Sequence, residues 1–426
     1  MSRIQRQRGR VATLTAALVS AAFLSVVPPG PAASAAGVWG PVEDLGVVVD
    51  ADRLGRDPAI VRVRIDRSAV AAWVAGEDET PGPVTVARRG AGGGWSMPEA
   101  VSADLPDGAT YDLAVGKGGR ASVVWERKVG TTWRIEESHL DGGTWTSPVQ
   151  VGRGRKPESV VDVDGVTTVA WSKDGVRVAR RPDAGSWSTP RRVAAGSVSE
   201  LELTANPGGD LALAWTVRYR TVRASVRPHG RKSWSAPVTL GTGPYVTSMQ
   251  VAMGGRGRAL VLWTVTGVWN QALHDYRNYL AWARSDAQGH WSKARKLTRR
   301  LGEDGGSVDL SMNGTGRAVA AWQQIDRSDS PAFVWAARFR PDGTWTAPAR
   351  VSKTQWAEPQ VWLDRRAVAH VVTDRVGVWY FSQRPGAAWT ARKLNQGRVL
   401  DAHGVGNRMV MLFRRSTLRS RTLDTP

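Results

Sequence analysis

The stretch Tyr111-Asp-Leu-Ala-Val-Gly-Lys-Gly-Gly-Arg-Ala-Ser-Val-Val-Trp125, followed by Trp145-Thr-Ser-Pro148, decides the fold. An alternating run, a glycine-rich turn and an apolar run ending in tryptophan indicate an antiparallel hairpin. The Trp-(Ser/Thr)-x-Pro pattern recurs at Trp95, Trp187, Trp234 and Trp345, with weaker copies at Trp39, Trp291 and Trp389. The other tryptophan recurs at Trp73, Trp171, Trp215, Trp263 and Trp322. Two interleaved series indicate an array of one supersecondary unit.

Each repeat contains four short strand candidates. The second strand is apolar on both faces, as a strand between neighbouring sheets should be. The fourth strand carries proline, which cannot donate to a ladder and therefore belongs at a sheet edge. A four-stranded sheet of this kind is typical of a propeller blade. The sequence predicts an all-β, eight-bladed β-propeller with about 49 residues per repeat.

The two ends of the chain predict how the ring closes. The seventh repeat has Val371 in place of tryptophan, and the eighth stops after Leu418-Arg-Ser-Arg421 without a fourth strand. Trp39-Gly-Pro-Val-Glu-Asp-Leu45 has the pattern of a fourth strand and no strands before it. We therefore expect the N-terminal strand to complete the C-terminal blade, since closure hides sheet edges.

Two recurrent side chains are expected to hold the blades together. Each buried tryptophan removes about 150–250 Å² from water, so we expect both tryptophan series in the core. An arginine recurs seven residues before the first-series tryptophans and is interpreted as a cation–π and packing repeat, rather than a ligand clamp, at Arg88, Arg180, Arg227, Arg284 and Arg338.

Residues 1–36 are predicted to be a signal peptide and residues 37–426 a single propeller domain. A basic segment with four arginines precedes the uncharged stretch Val11–Val27, and small residues follow it. An uncleaved membrane anchor is the alternative, although 17 residues are short for a span. We expect a secreted, extracellular protein, and its Ala- and Arg-rich composition is typical of a GC-rich bacterial genome.

The composition narrows the function. The chain has no cysteine, which excludes thiol catalysis and a disulfide framework. Its net charge of +20, four units of which lie in the predicted signal peptide, favours anionic glycans or wall polymers as partners. The basic residues are mostly scattered, so the charge also fits a compositional bias. Export makes nucleic acid an unsuitable partner.

Several turns resemble the Asp-box (BNR) repeats of sialidase-type β-propellers. They are Asp141-Gly-Gly-Thr-Trp145, Asp342-Gly-Thr-Trp345 and Ser285-Asp-Ala-Gln-Gly-His-Trp291. The resemblance implies the propeller fold and a structural role for the turns. The family pattern Ser-x-Asp-x-Gly-x-Thr-Trp places aspartate five residues before tryptophan, whereas Asp141 and Asp342 lie closer. The Phe/Tyr-Arg-Ile-Pro motif usual in sialidases is absent from the sequence, and no arginine triad can be assigned.

Catalytic motifs are absent from the sequence. It contains no Gly-x-Ser-x-Gly, Gly-x-x-x-x-Gly-Lys or His-Glu-x-x-His pattern. The six histidines are dispersed, and a zinc site without cysteine would need them to converge with carboxylates. We therefore predict no cofactor, no metal and no catalytic residues.

Two sets of residues are candidates for binding. A polar residue near the start of each innermost strand is expected to ring one mouth of the central channel, at Asp112, Glu202, Gln250, Asp309, Gln360 and Asp401. Such residues could also simply meet water at a strand entrance. The longest inter-strand insertion, 264–279, mixes aromatic and polar groups suited to a sugar, among them Trp269, Asn270, His274, Asp275, Tyr276 and Tyr279. A loop packed on itself is the alternative.

Three functions remain open at this point. The first is a non-catalytic secreted propeller that binds a glycan or cell-wall polymer through one loop face. The second is a sialidase-like glycoside hydrolase or a lyase that uses carboxylates at the channel mouth. The third is a protein-interaction scaffold. The missing catalytic motifs favour binding.

Overall fold

Eight antiparallel sheets follow one another along the chain in the computed structural model. It describes residues 38–47, 59–75, 82–183, 185–267, 269–270, 275–276, 278–298, 301, 306–325, 332–352, 358–374, 377–395 and 397–425. The predicted all-β, eight-bladed propeller is confirmed. Residues 37–426 form one compact unit, and the predicted signal peptide lies outside the described residues. Among the described residues, no helix has the length and hydropathy of a membrane span.

We number the blades in chain order and give their strands from the inner to the outer one. Blades 1 to 4 contain Ala59–Val63, Ala69–Val74, Pro83–Arg89 and Glu99–Asp104; Tyr111–Val115, Ala121–Val129, Thr132–Asp141 and Val149–Arg153; Arg155–Val161, Thr167–Ser172, Gly175–Arg181 and Arg191–Ala195; Glu200–Ala205, Leu211–Val217, Thr221–Arg227 and Val238–Thr242. In blade 2 a short strand, Thr144–Trp145, also pairs with the third strand.

Blades 5 to 8 follow the same order. They contain Tyr245–Met253, Ala259–Thr266, Tyr279–Arg284 and Arg295–Lys296; Val308–Met312, Ala318–Ile325, Ala332–Phe339 and Ala349–Arg350; Gln360–Leu363, Ala369–Asp374, Val378–Gln383 and Thr390–Asn395; Arg398–Val405, Arg408–Arg414, Leu418–Asp424 and Val38–Asp44. A separate two-stranded hairpin joins Trp269–Asn270 to Asp275–Tyr276, and a 3₁₀ turn spans Gly255–Gly257.

The inner strands of consecutive blades contact one another around a ring, and blade 8 contacts blade 1. They enclose a central cavity of 870 Å³. Because the strands alternate in direction, second-to-third and fourth-to-first connections emerge on one face, which we call the loop face. The first-to-second and third-to-fourth connections emerge on the opposite face, which we call the turn face.

The predicted closure is confirmed. The N-terminal strand pairs antiparallel with the last strand, with Trp39 opposite Leu423 and Asp44 opposite Arg419. The Trp39 ring is buried, with its centroid 5.2 Å from that of Tyr380 in an edge-on contact. The N-terminal strand therefore contributes core packing as well as the outer edge of blade 8.

The two tryptophan series differ in burial. The second series is fully buried, at Trp73, Trp125, Trp171, Trp215, Trp263 and Trp322. The first series, expected in the core, is half-buried except for Trp39. Its tryptophans lie close to the blade edges, where an indole can reach the neighbouring blade: Trp95 donates from Nε1 to Ser420 Oγ of blade 8 at 2.7 Å.

Two details of the predicted repeat are wrong. Gln360 pairs with Val372 as Asp309 pairs with Ala321, so the tryptophan position of blade 7 is held by the buried Thr373 and not by Val371. Proline also precedes the outer strand in five blades instead of lying within it, at Pro98, Pro148, Pro190, Pro237 and Pro348. Since proline has no N–H, this position leaves the ladder intact.

The recurrent arginine has a different role from the cation–π repeat we expected. Arg88 Nη1 of blade 1 donates to the carbonyl of Gly143 in blade 2 at 2.7 Å. Arg338 Nη1 of blade 6 donates to the carbonyl of Gln383 in blade 7 at 3.1 Å. Cation–π contacts among the described residues are made by other cations, such as Arg155 over Trp133. Arg88 and Arg338 therefore link neighbouring blades through hydrogen bonds, whereas Arg180 bonds to Asp162 of its own blade at 3.3 Å.

Candidate functional site

The predicted polar ring occupies one level of the central cavity. Its members lie three residues before the end of their inner strands, or four in blade 8, where the strand pairing continues for one more residue after Asp401; they are Asp112, Glu202, Gln250, Asp309, Gln360 and Asp401. Glu158 holds the same position in blade 3, and Ile60 holds it in blade 1. Counting back from Trp171 would have identified Glu158, which the sequence analysis missed because Pro157 interrupts the alternation there.

Carboxylates of this ring bind the backbone of the next blade. Asp112 Oδ2 accepts hydrogen bonds from the Ser159 N–H at 2.7 Å and from Ser159 Oγ at 2.8 Å. Asp309 Oδ2 accepts one from the Val361 N–H at 2.6 Å. Asp401 likewise accepts a hydrogen bond from the Val61 N–H at 2.8 Å. Asp112, Asp309 and Asp401 therefore each join one inner strand to the next.

The cavity is rich in carboxylates although the protein is strongly basic. Arg62 lies between two of them, with Nη1 3.0 Å from Asp401 Oδ2 and Nη2 3.9 Å from Asp112 Oδ1. The basic lining residues are Arg62, Arg64 and Lys117, and the acidic ones are Asp112, Glu158, Asp162, Glu200, Glu202, Asp309, Glu358 and Asp401. The interior of the ring thus favours positive charge.

Burial shifts the pKa values of titratable side chains that line the central cavity. It raises the pKa of Asp309 to about 6, and the negative charge of Asp401 acts in the same direction. Burial also raises the pKa of Asp401. It lowers the pKa of His403 to about 3, so this histidine is neutral, and its Nδ1 accepts the Val63 N–H at 3.1 Å. Among the described residues, no three His, Asp or Glu side chains are grouped to hold a metal ion.

The predicted binding loop forms the small hairpin. Trp269 lies opposite Tyr276, and Asn270 lies opposite Asp275. The side chains of these four residues and the whole of His274 lie outside the described residues. Tyr279 is half-buried, and the ammonium of Lys296 lies 3.9 Å from its ring centroid. One face of the Tyr279 ring is therefore already occupied.

A pair of tyrosines that the sequence analysis missed lies on the same loop face. The rings of Tyr219 and Tyr245 stack with centroids 5.2 Å apart and an interplanar angle of 26°. Both are exposed, at 37% and 45%. Tyr219 is in the second-to-third connection of blade 4, and Tyr245 begins the inner strand of blade 5. We call this pair the tyrosine platform.

The backbone that presents Tyr219 is strained. Arg218 and Tyr219 have φ angles of 51° and 54°, and the Arg220 N–H donates to the Val217 carbonyl at 3.0 Å. Two consecutive positive φ angles define a type I′ turn, which prefers Asn-Gly. Bulky residues there cost about 1–2 kcal/mol each. Such strain persists only where the surroundings impose it, and it concentrates at functional sites.

Neighbouring segments impose this turn. The Tyr219 N–H donates to Ser199 Oγ at 3.0 Å, and the Val246 N–H donates to the Tyr219 carbonyl at 2.7 Å. Tyr245 lies opposite Thr266, which ends the strand before the small hairpin. The platform therefore adjoins the predicted binding loop.

Comparison with known proteins supports the fold but does not assign the chain to a family. No family model and no curated protein match the chain. Among solved structures it is similar to polysaccharide lyase Uly1, with a TM-score of 0.51 and 10% identity over 87% of this chain and 90% of that one. A PL25 ulvan lyase has a TM-score of 0.47 at 10% identity over 72% and 90%. A protein of unknown function from Dyadobacter fermentans has 0.43 at 14% identity over 90% and 99%.

Proposed function

We propose that this protein is a secreted, non-catalytic propeller that binds an anionic polysaccharide through its loop face, at the tyrosine platform. The observation that carries the proposal is the strained Arg218–Tyr219 turn. It holds a large aromatic ring in solvent where Asn-Gly would be more stable. Strain that persists at an exposed aromatic side chain points to selection for a surface and not for stability.

The chemistry of the platform suits a sugar. Stacked tyrosines offer apolar ring faces for a pyranose and hydroxyl groups for hydrogen bonds. Arg218 and Arg220 are exposed in the same turn, so carboxylates or sulfates on the polymer would find guanidinium donors beside the rings. The net charge of +20, which is +16 without the four arginines of residues 1–36 (20 − 4), would attract such a polymer over a longer range. Uly1, which has a similar fold, is a polysaccharide lyase.

The structural role of the ring carboxylates favours binding over catalysis. The carboxylates of Asp112 and Asp309 hold the next blade, so they are engaged in structural hydrogen bonds. The second candidate, a hydrolase or lyase, is favoured by the raised pKa of Asp309. A carboxyl that titrates near pH 6 is suited to general acid catalysis.

A glycan array probed with the chain lacking residues 1–36 tests the proposal. We expect binding to uronate- or sulfate-bearing glycans. The double variant Tyr219→Ala/Tyr245→Ala should weaken binding about tenfold or more, because each lost stacking contact is worth about 1 kcal/mol. Met97→Ala, which removes an 87% exposed apolar side chain from blade 1, is the matched control. Trp269→Ala/Tyr276→Ala measures how far the site extends into the hairpin.

Two results would contradict parts of this proposal. Unchanged glycan affinity in Tyr219→Ala/Tyr245→Ala would remove the platform from the site. Shortening of a bound polysaccharide by the wild-type protein, abolished by Asp309→Asn, would establish the catalytic alternative.

A further inference from the structure

A second cavity lies on the turn face, at the seam where the ring closes. It has a volume of 440 Å³ and is built from the first-to-second connections of blades 7, 8 and 1 together with Thr425. Three of its lining residues are arginines, namely Arg67 from blade 1 and Arg365 and Arg366 from blade 7. We call it the seam pocket.

The arginines of the seam pocket are exposed and almost free of partners. The side chains of Arg365 and Arg366 make no hydrogen bond or ion pair with any described residue. Arg67 Nη2 makes one long hydrogen bond, 3.5 Å, to Asn407 Oδ1. Three guanidinium groups around one cavity repel one another unless an anion lies between them.

The carboxylates nearby are already engaged. Asp364 accepts the Val368 N–H at 2.7 Å and lies 3.4 Å from His370 Nε2. Asp424 forms a two-pronged pair with Arg408, at 2.7 and 2.8 Å. The third, Asp66, accepts hydrogen bonds from the N–H and the hydroxyl of one serine, Ser68. None of these carboxylates forms an ion pair with the three arginines, although Arg67 is close enough to help lower the pKa of Asp424. The lining has three arginines and one carboxylate, Asp364, so the pocket keeps an excess of positive charge.

The backbone around the pocket is fixed by bonds between blades. The Arg67 carbonyl accepts a hydrogen bond from Arg408 Nη1 at 3.0 Å, and Arg67 has a φ of 71°. The Arg365 N–H donates to the Gly406 carbonyl at 3.2 Å, and Asn407 Nδ2 donates to the Thr425 carbonyl at 3.0 Å. The connections that carry the arginines are therefore tied to blade 8, which preorganises the pocket.

We infer that the seam pocket binds a tetrahedral oxyanion, the phosphate or sulfate group of a polymer, through Arg67, Arg365 and Arg366. Guanidinium groups recognise such anions with paired N–H donors. The site lies on the face opposite the tyrosine platform, so it does not depend on the proposed sugar site. A phosphodiester wall polymer and a sulfated glycan would present the same chemistry to it.

Titration of the chain lacking residues 1–36 with inorganic phosphate, inorganic sulfate and linear polyphosphate, at constant ionic strength, tests the inference. Arg365→Gln/Arg366→Gln should weaken binding of the probes about tenfold or more, since it removes charge-assisted hydrogen bonds to the anion. The control is Arg258→Gln/Arg317→Gln, which removes the same charge from the corresponding connections of blades 5 and 6. It should change the affinity less than about twofold.

Further variants separate this site from other causes of binding. Arg365→Lys/Arg366→Lys keeps the charge but loses the forked donors, so an intermediate affinity is expected. Tyr219→Ala/Tyr245→Ala should leave phosphate binding unchanged even if it abolishes glycan binding. Equal losses in the two glutamine variants would show attraction by bulk charge, and no saturable binding of any probe by the wild type would also overturn the inference.

Discussion

The carboxylate of Asp401 accepts a hydrogen bond from the Val61 N–H at 2.8 Å, although 340 residues separate the two in the chain. The same oxygen lies 3.0 Å from Arg62 Nη1. With His403 Nδ1, which accepts the Val63 N–H, it joins the inner strands of blades 8 and 1. Because no ladder pairs these strands, side chains supply the acceptors that close the ring from within, while the N-terminal strand closes it at the rim.

Asp401→Ala should therefore weaken the contact between the inner strands of blades 8 and 1. It leaves the Val61 N–H and Arg62 without this acceptor in a buried site, which should lower the free energy of unfolding by about 2–4 kcal/mol. Asp401→Asn retains an oxygen acceptor and should cost less. Asp342→Ala, in an exposed turn, is the control. Urea unfolding measures the stabilities of the three variants. An Asp401→Ala variant as stable as Asp342→Ala would show that Asp401 does not hold blades 8 and 1 together.

The raised pKa of Asp309 makes stability depend on pH in a defined direction. Its value of about 6 in the folded protein exceeds the ordinary 3.8, so the folded state binds the proton more tightly. Stability from this group is present at low pH and lost as the pH rises from about 4 through 6. Asp374, also with a pKa of about 6, acts in the same direction.

Asp309→Asn removes this dependence. The free energy of unfolding of the variant minus that of the wild type should be larger at pH 7 than at pH 4, by about 2 kcal/mol. Denaturant unfolding at both pH values gives the two differences. A difference that is the same at both values would mean that Asp309 titrates normally.

Relieving the strain in the Arg218–Tyr219 turn should raise the stability of the protein and lower its affinity for glycans. Arg218→Asn/Tyr219→Gly restores the preferred type I′ sequence and should raise the free energy of unfolding by about 1–2 kcal/mol, after allowing for the lost ring contact. The same variant should lose glycan affinity. Thermal unfolding and glycan binding are measured together, and a destabilised variant would show that the turn is not strained.

Blades 7 and 8 pack closely at Gly404, where a larger residue should not fit. A Cβ at this position would lie 2.3 Å from the Trp362 ring, whereas one at Gly314 would meet nothing within 4 Å. Gly404→Ala should therefore destabilise the protein by about 1–3 kcal/mol, and Gly314→Ala should change it little. Differential scanning calorimetry compares them. Equal melting temperatures would contradict the close contact.

The tryptophan series and the proline pattern predicted the architecture, because both reflect burial and hydrogen bonding that recur in every blade. Thr373 escaped prediction, since residue counting gave Val371 and only strand pairing sets the register. Tyr219 and Tyr245 escaped it for another reason. They belong to different blades, and neither the stacking nor the positive φ of Tyr219 has a signal in residue spacing.

Hydrogen–deuterium exchange of the chain lacking residues 1–36, with and without the polysaccharide that binds most tightly on the array, tests the proposed site most directly. Bound polysaccharide should slow exchange at residues 217–220 and 245–247, around the strained turn and Tyr245. It should leave residues 311–317, on the turn face of blade 6, unchanged. Protection confined to other blades, or no polysaccharide that binds, would contradict the account.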